Sequence, residues 1–257
     1  MRRLLYCIAH PLTRRYNFEV GMEDPSKIYR ILIKFMDEQY VDSFVNEGLI
    51  FMNNIEFFRR YEADEGGVPV RGDKHEGLTV SLNAKDLVVT FDNQVVDGLV
   101  GKVDVRLNHE DETNIYSMTR ISDLDILESG DEGCYLSPQF MTFGNKAVII
   151  SGDNINTFNE RLSAAIHNDP HTFTFREDGI VTKQVEYVER ESYHGEMGVF
   201  RKFSDYSWQR EWRIAFKQSL ALGPHMLKLG SLKDIVTVAD TAQLIKNPIK
   251  LVERENL

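Results

Sequence analysis

Cysteine is almost missing from this chain: Cys7 and Cys134 are the only two among 257 residues. They form neither a disulfide framework nor a metal-ligand spacing, which fits a reducing, cytoplasmic setting. Long apolar runs are missing too. No stretch approaches the roughly 18 residues that cross a bilayer. The opening Met1–Pro11 stretch has an apolar part of about six residues, short of the roughly 7–15 of a signal peptide, and reads as an arm. A Gly-x-Gly-x-x-Gly turn and a Walker loop are both lacking, and so is a cysteine nucleophile arrangement. Positive charge is in deficit. Lys and Arg number 30 against 40 Asp and Glu, a formal charge of −10, which argues against broad electrostatic affinity for nucleic acid. The basic pairs Arg2-Arg3, Arg14-Arg15, Arg59-Arg60 and Arg201-Lys202 still leave material for a local basic groove.

The remaining composition, 42% hydrophobic and 27% charged, is that of a globular chain able to bury a sizeable core. Ile28–Phe35 reads as a strand. Asp37 stands where a helix begins, with Tyr40, Val41, Phe44 and Val45 at helical spacing, and Gly48 stands where a left-handed residue ends it. Leu49–Met52 is a short strand and Phe57, Phe58 and Tyr61 mark a second helix. Glu62–Gly77 is polar and Gly-rich, a loop long enough for a lid or binding role. Short alternating runs follow, then a strand over Thr113–Ile121 that sets Tyr116, Met118 and Arg120 on one face and Ser117 and Thr119 on the other. Lys146–Ser151 reads as a buried strand and Asn154 opens a helix. Many short strands without regular βαβ alternation indicate a single α+β domain with a largely antiparallel sheet: an arm over 1–27, a core over about 28–217 and a C-terminal extension over 218–257.

The most informative stretch is Tyr206–Phe216, rich in aromatic and β-branched residues and free of Gly and Pro. Read as one strand, it puts Trp208, Arg210, Trp212, Ile214 and Phe216 on a core face and Gln209, Glu211, Arg213 and Ala215 on the other. A Gln and a Glu two apart on a buried strand are costly unless something polar meets them. Elsewhere, Asp73, His75 and Glu76 offer ligand chemistry for a metal, although loops of this composition are ordinarily solvated. His167 and His171 have helical metal spacing, which Pro170 breaks. No metal site is assigned.

Taken in order, these elements are similar to those of the ADP-ribosyltransferase superfamily, in its Arg–Ser–Glu class. Tyr29-Arg30 on an early strand and a helix ending at Gly48-Leu49 resemble its opening. Ser117-Met-Thr119 resembles its central Ser-Thr-Ser element, departing from it in sequence, and Gln209-Arg-Glu211 resembles its closing Gln-x-Glu element. The resemblance implies a split sheet, NAD as substrate and no metal. It implies that Glu211 holds the ribose and stabilises the positive charge that grows when the nicotinamide bond breaks. Gln209 then orients the acceptor, Arg30 takes the phosphates, Tyr29 stacks on a ring, and Ser117 and Thr119 line the cofactor-binding strand with Ser117 holding Glu211. The similarity extends to bacterial toxins of phage-defence toxin–antitoxin–chaperone systems that modify mRNA. A base in RNA is the expected acceptor, with protein or DNA as alternatives, an antitoxin and a chaperone as expected partners, and no membrane. Two other classes stay open: a non-catalytic interaction module in which Glu211 is structural, and a metal-dependent nuclease using Asp73–Glu76.

Overall fold

The computed structural model describes residues 24–64, 72–96, 98, 100–173, 181–220 and 223–250. The chain is α+β and its sheets are mostly antiparallel. The strands that build the main sheet are β1 (Tyr29–Met36), β2 (Leu49–Asn54), β3 (Asn114–Ser122), β4 (Lys146–Ser151), β5 (Thr172–Phe173), β6 (Thr182–Gln184), β7 (Glu211–Gln218), β8 (His225–Lys228) and β9 (Thr237–Asp240). Their order is β6-β7-β3-β1-β4-β9, with β5 beside the end of β7 and the pair β2-β8 joining at one end of β3. Helices α1 (Glu38–Glu47), α2 (Ile55–Asp64), α3 (Asp123–Ser129), α4 (Asn154–Asn168) and α5 (Thr241–Lys246) complete the framework.

The sheet forks along β3. On one edge β7 pairs with residues 114–119 of β3 without a break. On the other edge β1 pairs only with residues 119–122, and β2 only with 114 and 115. Between these two partners, residues 116–118 have no ladder pair on that edge among the described residues. Lys34 of β1 reaches into the gap, donating from Nζ to Ser117 O at 2.8 Å and lying 3.9 Å from the centre of the Tyr116 ring.

The two faces of the sheet differ because its strands alternate. One face is mostly apolar: Leu32, Tyr116, Met118, Trp212, Ile214 and Phe216 pack with Phe44 of α1 and with Ile155, Phe158 and Leu162 of α4. The other face carries two separate apolar patches. Ile33, Phe35, Ile121 and Phe140 form one, while Ile55, Ile115, Val199, Phe200 and Ala215 form the other. Along β3 the residues of this face run Ile115, Ser117, Thr119, Ile121, so the polar pair falls between the patches.

Glycines fix two of the connections. Gly48 ends α1 at φ +62°, and a Cβ there would meet Gly230 O at 2.3 Å. Gly144, at φ +146°, crosses the end of β1 so closely that a Cβ would stand 2.0 Å from Met36 C. Backbone on both sides leaves nothing to give way. Gly144→Ala is therefore expected to destabilise the fold by about 3–5 kcal/mol, through positive φ and overlap together. Urea unfolding of the variant checks this, and a loss under about 1 kcal/mol would contradict it.

Several expected elements shift. The stretch 206–216 is not one strand: Ser204–Gln209 is a 3-10 turn, and β7 begins at Glu211. Arg210 makes the junction in the left-handed region, at φ 46° and ψ 50°. Trp208 consequently joins the Phe35, Phe140 and Phe143 cluster, on the opposite face from Trp212. Helix α3 was not expected. It is started by a reciprocal cap between Ser122 and Asp125. Residues 65–71 of the 62–77 loop and residues 1–23 of the opening arm lie outside the described residues.

Candidate functional site

A cavity of about 220 Å³ opens where the sheet forks. Ser117 and Thr119 of β3, Glu211 and Arg213 of β7, Gln209, Lys202 and Glu76 give it a polar floor. Phe35, Phe51, Phe58 and Phe143 supply aromatic wall. The floor follows from register: Glu211 pairs with Thr119 and Arg213 with Ser117, so all four side chains share the face between the two apolar patches. Gln209 arrives by another route. The left-handed Arg210 turns the chain between Gln209 and Glu211, and both side chains reach the same cavity although only one is on the strand. Arg210 is held there by Ser207 O, by an ion pair to Asp125 at 3.6 Å and by a contact to Cys134 Sγ.

Glu211 is 3% exposed. Its Oε1 accepts from Ser117 Oγ and from Arg213 Nε, the latter at 2.7 Å. Its Oε2, also buried, pairs with Lys202 Nζ at 3.0 Å. The backbone N–H of Glu211 donates to Tyr187 Oη at 2.9 Å. Burial alone would raise the Glu211 carboxyl, but Arg213 and Lys202 outweigh it and hold the group well below its ordinary range. Burial, with Glu211 beside it, pushes the Tyr187 phenol up.

Beneath Glu211 lies a closed set of charges. Arg213, entirely buried, donates from both terminal nitrogens to Glu76, at 2.7 and 3.1 Å, and to Val199 O at 2.5 Å. Lys202 Nζ donates to Gln209 Oε1 at 3.1 Å and lies 3.6 Å from Glu76 Oε2. Asp73, 1% exposed, caps the turn that carries Glu76 by accepting from His75 N at 2.8 Å. The reading of Asp73–Glu76 as a solvated loop is thus overturned: both carboxylates are core groups, and Glu76 neutralises an arginine and a lysine. The nuclease use of the pair has no support either, because Glu76 is spent on Arg213. Among the described residues no group of three His, Cys, Asp or Glu is placed to hold a metal.

Burial, and then the neighbouring Glu76 charge, raise the Asp73 carboxyl from 3.8 to about 7. The unfolded chain releases this proton near pH 4 and the folded chain near pH 7. Stability from this group is therefore present at low pH and is lost as the pH rises from 4 through 7. Asp73→Asn keeps the shape and the acceptor oxygen without the titration. Its advantage over the native chain should grow from near zero at pH 4 to as much as about 4 kcal/mol at pH 8, at about 1.4 kcal/mol per unit. Urea midpoints at both pH values test this; an advantage that does not change with pH would refute it.

Of the six residues singled out from sequence, four line the cavity: Gln209, Glu211, Ser117 and Thr119. Arg30 and Tyr29 do not. Arg30 is half exposed and bound to Asp123 through two hydrogen bonds, one of 2.7 Å. Tyr29 packs on the apolar face and its hydroxyl donates to Gln184 Oε1 at 3.4 Å. An irregularity between Tyr29 and Ile31 in the pairing with β3 shifts the alternation there. The basic residue of β1 that lines the cavity is Lys34. Lys202, Glu76 and Arg213 are floor residues that the expected site omitted. No family model matches this chain, and no curated protein and no solved structure matches it.

Proposed function

We propose that the chain is an ADP-ribosyltransferase, taking NAD as substrate and passing ADP-ribose to a macromolecular acceptor, a base in RNA in the first instance. The observation that carries this reading is the state of Glu211. One carboxylate oxygen is saturated by Ser117 and Arg213, and the other faces only the Lys202 ammonium, at 3.0 Å. That oxygen keeps a second lone pair, which a sugar hydroxyl can use.

NAD supplies a ribose bonded to a leaving nicotinamide, whose departure leaves positive charge on the sugar. The cavity, at about 220 Å³, is below the roughly 300–1,000 Å³ of pockets that enclose a whole ligand. It suits the nicotinamide and adjoining ribose, with the remainder of the dinucleotide outside. Glu211, kept ionised by its two cations, supplies fixed negative charge for the growing positive charge. Its Oε2 accepts a hydroxyl, and Ser117 and Arg213 stop the carboxylate from turning away. Thr119 and Gln209 flank it, Gln209 from the turn that precedes the strand, where it meets the acceptor. The aromatic wall excludes water that would compete as acceptor. A phosphate role for Arg30 receives no support from its position beside Asp123.

The toxin reading, with an antitoxin and a chaperone as partners, rests on the sequence resemblance alone. The competing class is a non-catalytic module, favoured by the completeness of the Glu211–Arg213–Glu76 pairing. Label transfer from radiolabelled NAD separates the two. Native protein and Glu211→Ala would be incubated with total RNA, with single- and double-stranded DNA, and with lysate protein. Label in the RNA pool that vanishes in the variant supports the proposal. Label in another pool corrects the acceptor. No label and no nicotinamide release, at any protein concentration tried, would sink the transferase reading.

A further inference from the structure

Resting on the transferase reading, we propose that Lys202 is a positioning residue that holds Glu211 and Gln209 in one fixed relation at the cavity floor. It lies in the strand Arg201–Phe203, which pairs in parallel with Glu186–Val188 and belongs to neither β3 nor β7. Its side chain is 5% exposed. Around it stand Glu211 Oε2 at 3.0 Å, Gln209 Oε1 at 3.1 Å and Glu76 Oε2 at 3.6 Å, with the Tyr206 ring centre at 5.0 Å. Arg213 and Asp73 are the other charges that act on it.

The chemistry of an ammonium explains why the position carries Lys. It has three donors and no acceptor, so the side-chain amide of Gln209 must present its oxygen end to it. The amide's orientation is thereby fixed. Toward Glu211 the same ammonium acts as a point charge: it compensates Oε2 at 3.0 Å and takes at most one of that oxygen's two lone pairs. An Arg there would bind the carboxylate through a planar fork and spend the lone pairs the ribose needs. Because Gln209 and Glu211 are separated by a left-handed residue and do not share a strand, their alignment is not given by sheet geometry. Lys202 is the group that touches both.

Burial would lower the Lys202 ammonium, yet Glu211 and then Glu76 raise it, so it keeps its charge. Removing that charge leaves Glu211 with Arg213 alone, which Glu76 already shares. The Glu211 carboxyl must then titrate at higher pH.

The experiment compares native protein with Lys202→Met, which keeps length and apolar volume. Carboxyl ¹³C NMR, with Glu211 assigned through Glu211→Gln, follows its titration, and nicotinamide release from NAD is measured between pH 5 and 9. The expected result is a Glu211 titration moved up by at least about one unit, since one of its two cations is gone. With it come a kcat lower by about tenfold or more, from the lost alignment of Glu211 and Gln209, and a KM for NAD within about threefold. If Lys202→Met unfolds, it is made together with Glu76→Gln, which restores the balance of buried charge, and is compared with Glu76→Gln alone. A Glu211 titration and a kcat that match those of the parent protein would overturn the proposal. If native protein releases no nicotinamide, it is the transferase reading that has failed, and the carboxyl titration still decides whether Lys202 governs Glu211.

Discussion

Glu211→Gln is expected to lower the proposed ADP-ribose transfer by about 10²–10³-fold while leaving the fold in place. The change is small in shape. The amide oxygen still accepts from Ser117 Oγ and Arg213 Nε, the two donors that now hold Oε1. What is lost is the fixed negative charge, together with the acceptor oxygen that now faces Lys202. The charge ledger explains why the fold survives. The buried set holds Arg213 and Lys202 against Glu211, Glu76 and Asp73, the last half-protonated near pH 7. Deleting the Glu211 charge lets Asp73 ionise, so two cations still face two anions. Urea unfolding should place the variant within about 1–2 kcal/mol of the native chain. A variant that keeps more than a tenth of the transfer, or one that loses several kcal/mol, would show Glu211 to be a structural member of the set.

How much of this was readable from the residues depends on distance along the chain. The apolar face of β7 was legible because Trp212, Ile214 and Phe216 alternate with polar residues, and period two is a local property. The contact between Ser117 and Glu211 follows from two such periods in adjacent strands. Gln209 was placed at the right site for the wrong reason. Its stretch reads as strand by propensity, and nothing local marks Arg210 as left-handed where Gly or Asn is usual. Lys202 and Glu76 were read only as half of a basic pair and as a loop carboxylate, with nothing local to join them to Glu211. Glu76 sits in a polar, Gly-rich segment and is buried only because Arg213, 137 residues away, requires a second carboxylate. The clue was Arg213 itself, an arginine on a strand flanked by Trp212 and Ile214, which one glutamate two residues away could not satisfy. Arg30 misled in the opposite sense. The irregular pairing after Tyr29 and the cap of α3, which brings Asp123 beside it, are tertiary facts.

Arg213→Met should be the most destabilising single change in the site, costing about 3–5 kcal/mol, because it leaves two buried carboxylates with one lysine between them. The guanidinium now satisfies Glu211, Glu76 and Val199 O together from a fully buried position. Adding Glu76→Gln removes the surplus negative charge, so the double variant should recover a large part of the loss, with a coupling of about 2 kcal/mol. Acid provides a second check. In the native chain the depressed Glu211 carboxyl stabilises the fold above its ordinary range, and that contribution is lost as the pH falls. Without Arg213 the buried carboxyls favour their neutral forms, so the gap between variant and native chain should narrow from pH 7 to pH 5. A gap that stays constant with pH, or a double variant no better than the single, would show that Arg213 acts through packing and not through charge. Transfer activity should fail in Arg213→Met as well, since the same guanidinium that neutralises Glu76 keeps Oε1 occupied and turns Oε2 to the ligand's use. Loss of both stability and transfer at Arg213, beside loss of transfer alone at Glu211, is the pattern of a carboxylate that reacts and an arginine that carries it.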